Sequence, residues 1–176
     1  MILGVFSDTH GNRKFLERAR KLAVDHFGAS ALIHLGDNYS DAEELMLEFS
    51  PVWAVPGLWC AAYHNPSIPR TRIEGAGNLL VHFAHAEQDL EPESVERAQI
   101  ILTGHTHHYR LDWLDGKIWM NPGHLKKDRE KTRPPTFGLI AIATDTVECS
   151  ILNLNGETIL AQVINQRFLR PVPPMG

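Results

Sequence analysis

Three short apolar runs without a charge, residues 2–7, 31–35 and 52–55, constrain this chain more than any other feature. Each is too short for a buried helix and lacks the alternation of a half-exposed strand, so each reads as a strand enclosed on both faces. Helix-length stretches separate them. Residues 13–27 carry Leu16, Ala19, Leu22, Ala23 and Phe27 at helical spacing, with Asn12 placed to cap the start and Gly28 to close the end. Ser40 and Glu43 fit a capping box opening a second helix through Leu45, Met46 and Phe49, which Ser50-Pro51 ends. Strand, helix, strand, helix, strand implies a parallel sheet with crossover helices.

The remainder has a different rhythm. Strands are expected at 79–84, 99–103, 109–114, 117–120, 136–143, 146–152 and 158–164, with a short helix at 92–98. Asp115-Gly116 and Asn155-Gly156 are hairpin signals, so the C-terminal half is expected to be mostly antiparallel. A length of 176 residues with 43% hydrophobic content suits one domain, placed at 1–170, with 171–176 a disordered tail. The net charge of -4 argues against a general nucleic-acid binder. No apolar run is long enough to span a bilayer, and Cys60 and Cys149 form neither a CxxC pair nor a disulfide framework. A reduced, cytoplasmic setting is expected.

The chemistry sits where the strands end. Asp8-Thr9-His10 follows the first strand and Gly36-Asp37-Asn38 the second, at the edge where open α/β sheets keep their ligand sites. His85 follows the strand at 79–84, and Gly104-His105-Thr106-His107 follows the strand at 99–103. Any one of these has an ordinary structural explanation as a cap, a turn or a packed histidine. Four strand ends all carrying Asp or His do not, because unpaired carboxylates and imidazoles are poor groups to cluster without a cation.

The series DTH, GDN, His85, GHTH and then Asn121-Pro122-Gly123 resembles the calcineurin-like metallophosphoesterase family, and within it the small single-domain bacterial and archaeal phosphodiesterases. The likeness runs from Asp8 to about Gly123. It implies an α+β, four-layer αββα sandwich of two mixed β-sheets flanked by helices. It implies two divalent metal ions, one held by Asp8, His10 and His107 and the other by His85 and His105, with Asp37 bridging. Mn²⁺, Fe, Zn²⁺ and Ni²⁺ all suit such N/O ligands. The implied activity is hydrolysis of small phosphodiesters by in-line attack of hydroxide, which metal binding makes available near neutral pH. The alternative is a catalytically weakened member serving as a metal-binding or protein-binding scaffold. Homo-oligomers occur by the same analogy.

The chain departs from the family at the third motif, Gly-Asn-His-Asp or Gly-Asn-Cys-Asp, where it reads Gly57-Leu58-Trp59-Cys60. Leu58 replaces an Asn expected to ligate the second metal, so that site loses a donor unless His64 or Asn65 folds back. Trp59 stands where many members carry a His thought to protonate the leaving group. His64 and His124 are the candidate substitutes, beside Asp37 and His85 as catalytic residues. His108 follows GHTH and is expected to be a partly exposed strand residue. His26, His34 and His82 are expected to be structural. The stretch 126–135, with Lys126, Lys127, Arg129, Lys131 and Arg133 broken by Asp128 and Glu130, reads as a solvated charged loop.

Overall fold

The computed structural model describes residues 1–127 and 133–171. Ile2–Phe6 forms β1, enclosed after its first residue as its uncharged sequence requires. Helix α1, Arg13–Lys21, starts at Asn12, whose side chain accepts the Phe15 N–H. The expected continuation to Phe27 is present but winds as a π-helix over Leu22–His26 before Gly28 closes it at φ +74. Ala31–His34 (β2), Tyr39–Glu48 (α2) and Val52–Ala54 (β3) follow, and β1, β2 and β3 pair in parallel. The Ser40–Glu43 capping box is not used. The chain enters α2 straight from the Asp37 bend, Asn38 takes the N-cap position without a side-chain bond, and Ser40 is already helical.

Then come Thr71–Ala76 (β4), Leu79–Ala84 (β5), Pro92–Arg97 (α3), Ile100–Leu102 (β6), Arg110–Leu114 (β7), Lys117–Asn121 (β8), Thr136–Ile142 (β9), Thr146–Asn153 (β10) and Thr158–Asn165 (β11). They complete a six-stranded sheet, β11-β10-β9-β1-β2-β3, and a five-stranded sheet, β4-β5-β6-β8-β7. Asp115-Gly116 and Asn155-Gly156 join antiparallel neighbours, β7 to β8 and β10 to β11. The mostly antiparallel expectation holds for β4 with β5, β7 with β8 and β9 to β11, and the exception is the centre of the second sheet, where β5 pairs with β6, and β6 with β8, in parallel. Both steps return through crossovers, one carrying α3 and the other the β7 hairpin strand, so consecutive strands need not reverse.

Between the sheets lie Val5, Ile33 and Leu35 from one side and Phe83, Ile100, Leu102 and Met120 from the other. The outer face of the six-stranded sheet buries Phe6 and Leu32 under Leu16, Ala19 and Leu45 of α1 and α2. Helix α3 packs on β5 outside the second sheet. The result is the four-layer sandwich. Burying each Leu, Ile or Phe here contributes roughly 1.5–3 kcal/mol, which holds the strand ends firmly enough to support a strained rim. No helix among the described residues is long and apolar enough to cross a membrane. The expected tail lies outside the described residues beyond Pro171, as do Asp128, Arg129, Glu130 and Lys131 of the charged loop.

Candidate metal centre

Parallel strands point their C-terminal ends the same way, so β1 and β2 in one sheet and β5 and β6 in the other deliver Asp8, Asp37, His85 and the 104–107 turn to one rim. Backbone bonds stitch the four ends together. The Asp8 N–H donates to the Gly36 carbonyl at 3.3 Å, and the Gly104 N–H to the His85 carbonyl at 2.9 Å. Two further bonds cross between the sheets: the His105 N–H donates to Asp8 Oδ2 at 2.9 Å, and His85 Nδ1 donates to the Leu35 carbonyl at 2.7 Å. The latter fixes the His85 tautomer and leaves its Nε2 lone pair for a cation.

Two groups of ligand atoms converge, each lying within 4.8 Å of one another: Asp8, His10 and His107, and Asp8, Asp37 and His85. Asp8 is common to both. His107 Nε2 is 3.1 Å from Asp8 Oδ1 and 3.1 Å from His10 Nε2, while His10 Nδ1 is 2.7 Å from Asp37 Oδ2. The His105 ring is 5.1 Å from that of His85, outside both triads. Two carboxylates and two facing imidazole nitrogens at such range fit a divalent cation with N/O ligands. Burial raises the Asp8 pKa, but the His107 bond, the electrostatic influence of the His85 ring and the Ser7 hydroxyl at 2.6 Å outweigh it and hold the carboxyl below its ordinary range.

The backbone carries the same signature. Among the described residues, apart from Asp115 in the β7–β8 turn, the non-glycine residues with left-handed φ are Asp8, His10, Asp37, His105 and His107. Asp and His tolerate that region better than branched residues, yet each such position still costs of order 1–3 kcal/mol. Strain confined to the candidate ligands marks a functional rim.

Several supporting residues were not assigned from sequence. Asn121 donates to the Gly104 carbonyl at 2.7 Å and to Thr106 Oγ1 at 3.2 Å, which clamps the GHTH turn. Asp41, from the first turn of α2, accepts the Gly11 N–H at 3.0 Å and so anchors the loop after His10. Asn121 lies within the Asn-Pro-Gly stretch of the resemblance, so its sequence signal existed. Asp41 had none, because an acidic residue in a first helical turn is ordinary.

His34 is structural in a specific sense. Its Nδ1 accepts the Gly36 N–H at 3.2 Å, so Nε2 carries the proton and donates to Thr9 Oγ1 at 2.9 Å, between Asp8 and His10. Burial pushes its pKa down to about 4 from 6.5. The unfolded chain therefore takes up a proton near pH 6.5 that the folded chain refuses until about pH 4. The stability this provides is complete above pH 6.5 and is lost, by roughly 3 kcal/mol in all, as pH falls through that window. Urea unfolding at pH 7 and pH 4.5 checks it: His34→Gln is expected to lose most of the wild-type difference, and an unchanged difference would assign the dependence elsewhere.

The proposed acids occupy distinct places. His124 is fully buried, its Nδ1 accepts the Lys126 N–H at 3.3 Å, and its ring lies 5.8 Å from that of His107. His64 is exposed on a 3₁₀ turn, Ala61–His64, with its ring 5.5 Å from Tyr63. Gly57 packs on Asp37, its N–H donating to the Asp37 carbonyl at 3.2 Å. Leu58 follows half-buried without a donor atom, and Trp59 is 87% exposed. His108 is exposed, and its N–H donates to Thr106 Oγ1 at 3.3 Å.

Residues 1–145 match the calcineurin-like phosphoesterase superfamily domain. The chain belongs to that superfamily. Similar solved structures include YfcE, a phosphoesterase from E. coli, at 22% identity and TM-score 0.73, covering 94% of this chain and 100% of that one. A predicted phosphoesterase from Streptococcus pneumoniae is similar at 21% identity and TM-score 0.68, covering 93% and 97%. Vacuolar Protein Sorting 29 from Cryptosporidium parvum is similar at 22% identity and TM-score 0.70, also covering 93% and 97%. No curated protein matches the chain. Likeness at these identities shows a shared fold with proteins described as phosphoesterases and with a vacuolar sorting protein.

Proposed function

We propose that this phosphoesterase-superfamily chain is a metal-dependent phosphodiesterase acting on small phosphodiesters. The observation that carries the reading is the pair of ligand triads sharing Asp8, in which every member but His85 has a left-handed backbone. Asp8, His10 and His107 would hold one divalent ion. Asp37 and His85, with His105 beside them, would hold the second, and Asp37 would lie between the two. Bound there, the ions supply Lewis-acid charge for a phosphoryl group and lower the pKa of water.

The chain's own residues prepare that chemistry. The Ser7 hydroxyl and the His105 N–H fix Asp8 as a carboxylate with one set orientation. The Leu35 carbonyl holds His85 as an acceptor toward the rim rather than as an acid. With Trp59 in place of a histidine, water, His64 on its exposed 3₁₀ turn, or His124, whose ring lies 5.8 Å from that of His107, would have to protonate the leaving group. Without an acid at position 59, turnover is expected to favour leaving groups of low pKa, aryl esters over alkyl esters.

The experiment pairs metal content per chain with Mn²⁺-stimulated hydrolysis of bis(p-nitrophenyl) phosphate, with Asp37→Ala as control. Turnover with about two metals per chain, lost in the variant, supports the reading. One metal with weak turnover means that Leu58 has removed the second site. Neither metal nor turnover after Mn²⁺ addition leaves the scaffold reading, which the donor-free Leu58 and the sorting-type neighbours favour.

A further inference from the structure

The segment after β3 crosses the rim as a fastened turn. It is pinned at Gly57 to Asp37, and the Cys60 N–H donates to the Gly57 carbonyl at 3.2 Å. The Tyr63 N–H donates to the Cys60 carbonyl at 3.1 Å, and the Tyr63 hydroxyl donates to Asp89 Oδ1 at 2.7 Å. The Arg70 guanidinium covers the Tyr63 ring at 4.2 Å, and its Nε donates to the Tyr63 carbonyl at 3.0 Å. Asp37 follows β2, and Asp89 lies shortly beyond His85 after β5. The turn therefore straddles ligand-bearing strand ends from both sheets.

Trp59 sits on this turn with its indole in solvent. The next residue, Cys60, lines a groove of about 350 Å³ between the turn and the start of α2, together with Asn38, Tyr39, Glu43, Asn65 and Ile68 among others. The groove begins at Asn38, the residue next to Asp37. We propose that this groove and Trp59 form the subsite for the nucleoside portion of a nucleotidyl phosphodiester, with the indole stacked on the base. The proposal rests on the phosphodiesterase reading and adds its substrate class.

The chemistry matches part by part. An exposed indole on a turn already held by Asp37 and Asp89 offers a π-face with little loop entropy left to lose on binding. The Glu43 carboxylate accepts from hydroxyls. The Asn65 side-chain oxygen already accepts the Ser67 N–H at 3.0 Å, so its amide N–H groups are what it offers a sugar or base. Placed at the rim, the phosphate leaves its nucleoside arm beside Asn38. An aliphatic diester would fill the groove but would leave the indole without a stacking partner.

Two substrates with one leaving group test this: the p-nitrophenyl ester of thymidine 5′-phosphate and methyl p-nitrophenyl phosphate. Trp59→Ala is expected to lower the ratio of their kcat/KM values about tenfold, through KM for the thymidine ester, with Trp59→Phe retaining most of the preference. Trp59 is solvent-exposed, so neither variant threatens folding. An unchanged ratio overturns the proposal. Should the wild type hydrolyse neither ester, the phosphodiesterase reading fails, and binding decides the subsite alone. Quenching of indole fluorescence by thymidine 5′-monophosphate that is present in the wild type and absent in Trp59→Phe supports the subsite; identical titrations sink it.

Discussion

Asp8→Asn is expected to leave the fold intact while lowering metal content and cutting aryl diester turnover on the order of a thousandfold. The fold survives because Asn can copy the geometry. Its side-chain oxygen, placed at Oδ2, still accepts from the Ser7 hydroxyl and the His105 N–H, and its amide nitrogen, placed at Oδ1, meets His107 Nε2 as a donor. What disappears is one negative charge common to both ligand triads. Changes to residues that only orient metal ligands cost 10- to 100-fold, and a group shared by two sites must cost more. Asp8→Ala is the harsher change. It strands the buried Ser7 hydroxyl, at about 1–3 kcal/mol, releases the His105 N–H, and mixes loss of stability with loss of function. Thermal unfolding, metal analysis and turnover on Asp8→Asn separate the two effects. A variant that keeps its metal and its rate would remove Asp8 from the centre and the two-triad reading with it.

The rim was legible in the sequence because its logic is one of contrast. Asp8, Asp37, His85 and the GHTH turn each interrupt an uncharged run, and burial of those runs fixes where the interruption must fall. Strand β4 was not legible. Thr71–Ala76 carries Arg72, Glu74 and Gly75 on a half-exposed edge, so it has neither a continuous apolar face nor a clean alternation. The path of the segment after Gly57 was hidden for a related reason: 3₁₀ turns leave no period, and the bond from Tyr63 to Asp89 joins residues that nothing local connects. His34 was rightly read as structural, but its particular work, holding Thr9 through one tautomer, depends on the Gly36 N–H and appears only once the strand end is folded. The shared role of Asp8 was likewise not deducible from spacing. The family pattern assigns the bridge to Asp37, whose Oδ2 lies 2.7 Å from His10 Nδ1; that Asp8 belongs to both triads as well shows only in the folded arrangement.

Gly57→Ala is expected to be among the most damaging single substitutions, although its backbone lies outside the left-handed region where glycine is usually required. The obstacle is space. A Cβ at Gly57 would lie 2.4 Å from Asp37 Cα, 2.5 Å from its carbonyl oxygen and 2.6 Å from its nitrogen. All three are backbone atoms of a candidate ligand, so no rotamer change relieves the contact and the Asp37 turn itself must move. Overpacking of this kind costs about 1–3 kcal/mol or more, roughly a 5–10 °C fall in Tm for a chain of this size. Displacement of Asp37 is expected to reduce metal binding as well. Gly104→Ala provides the contrast. There the nearest atom is Ser7 Oγ, on a side chain that can rotate away at the expense of its bond to Asp8, and the next, Asp8 Oδ2 at 2.9 Å, is also a side-chain atom and has to give only slightly. Combining Gly104→Ala with Ser7→Ala should therefore recover much of the lost stability, while no single side-chain truncation should recover Gly57→Ala. Wild-type Tm and metal content in Gly57→Ala would mean that the turn carrying Trp59 can shift freely against Asp37, and the rigid rim inferred from that contact would have to be abandoned.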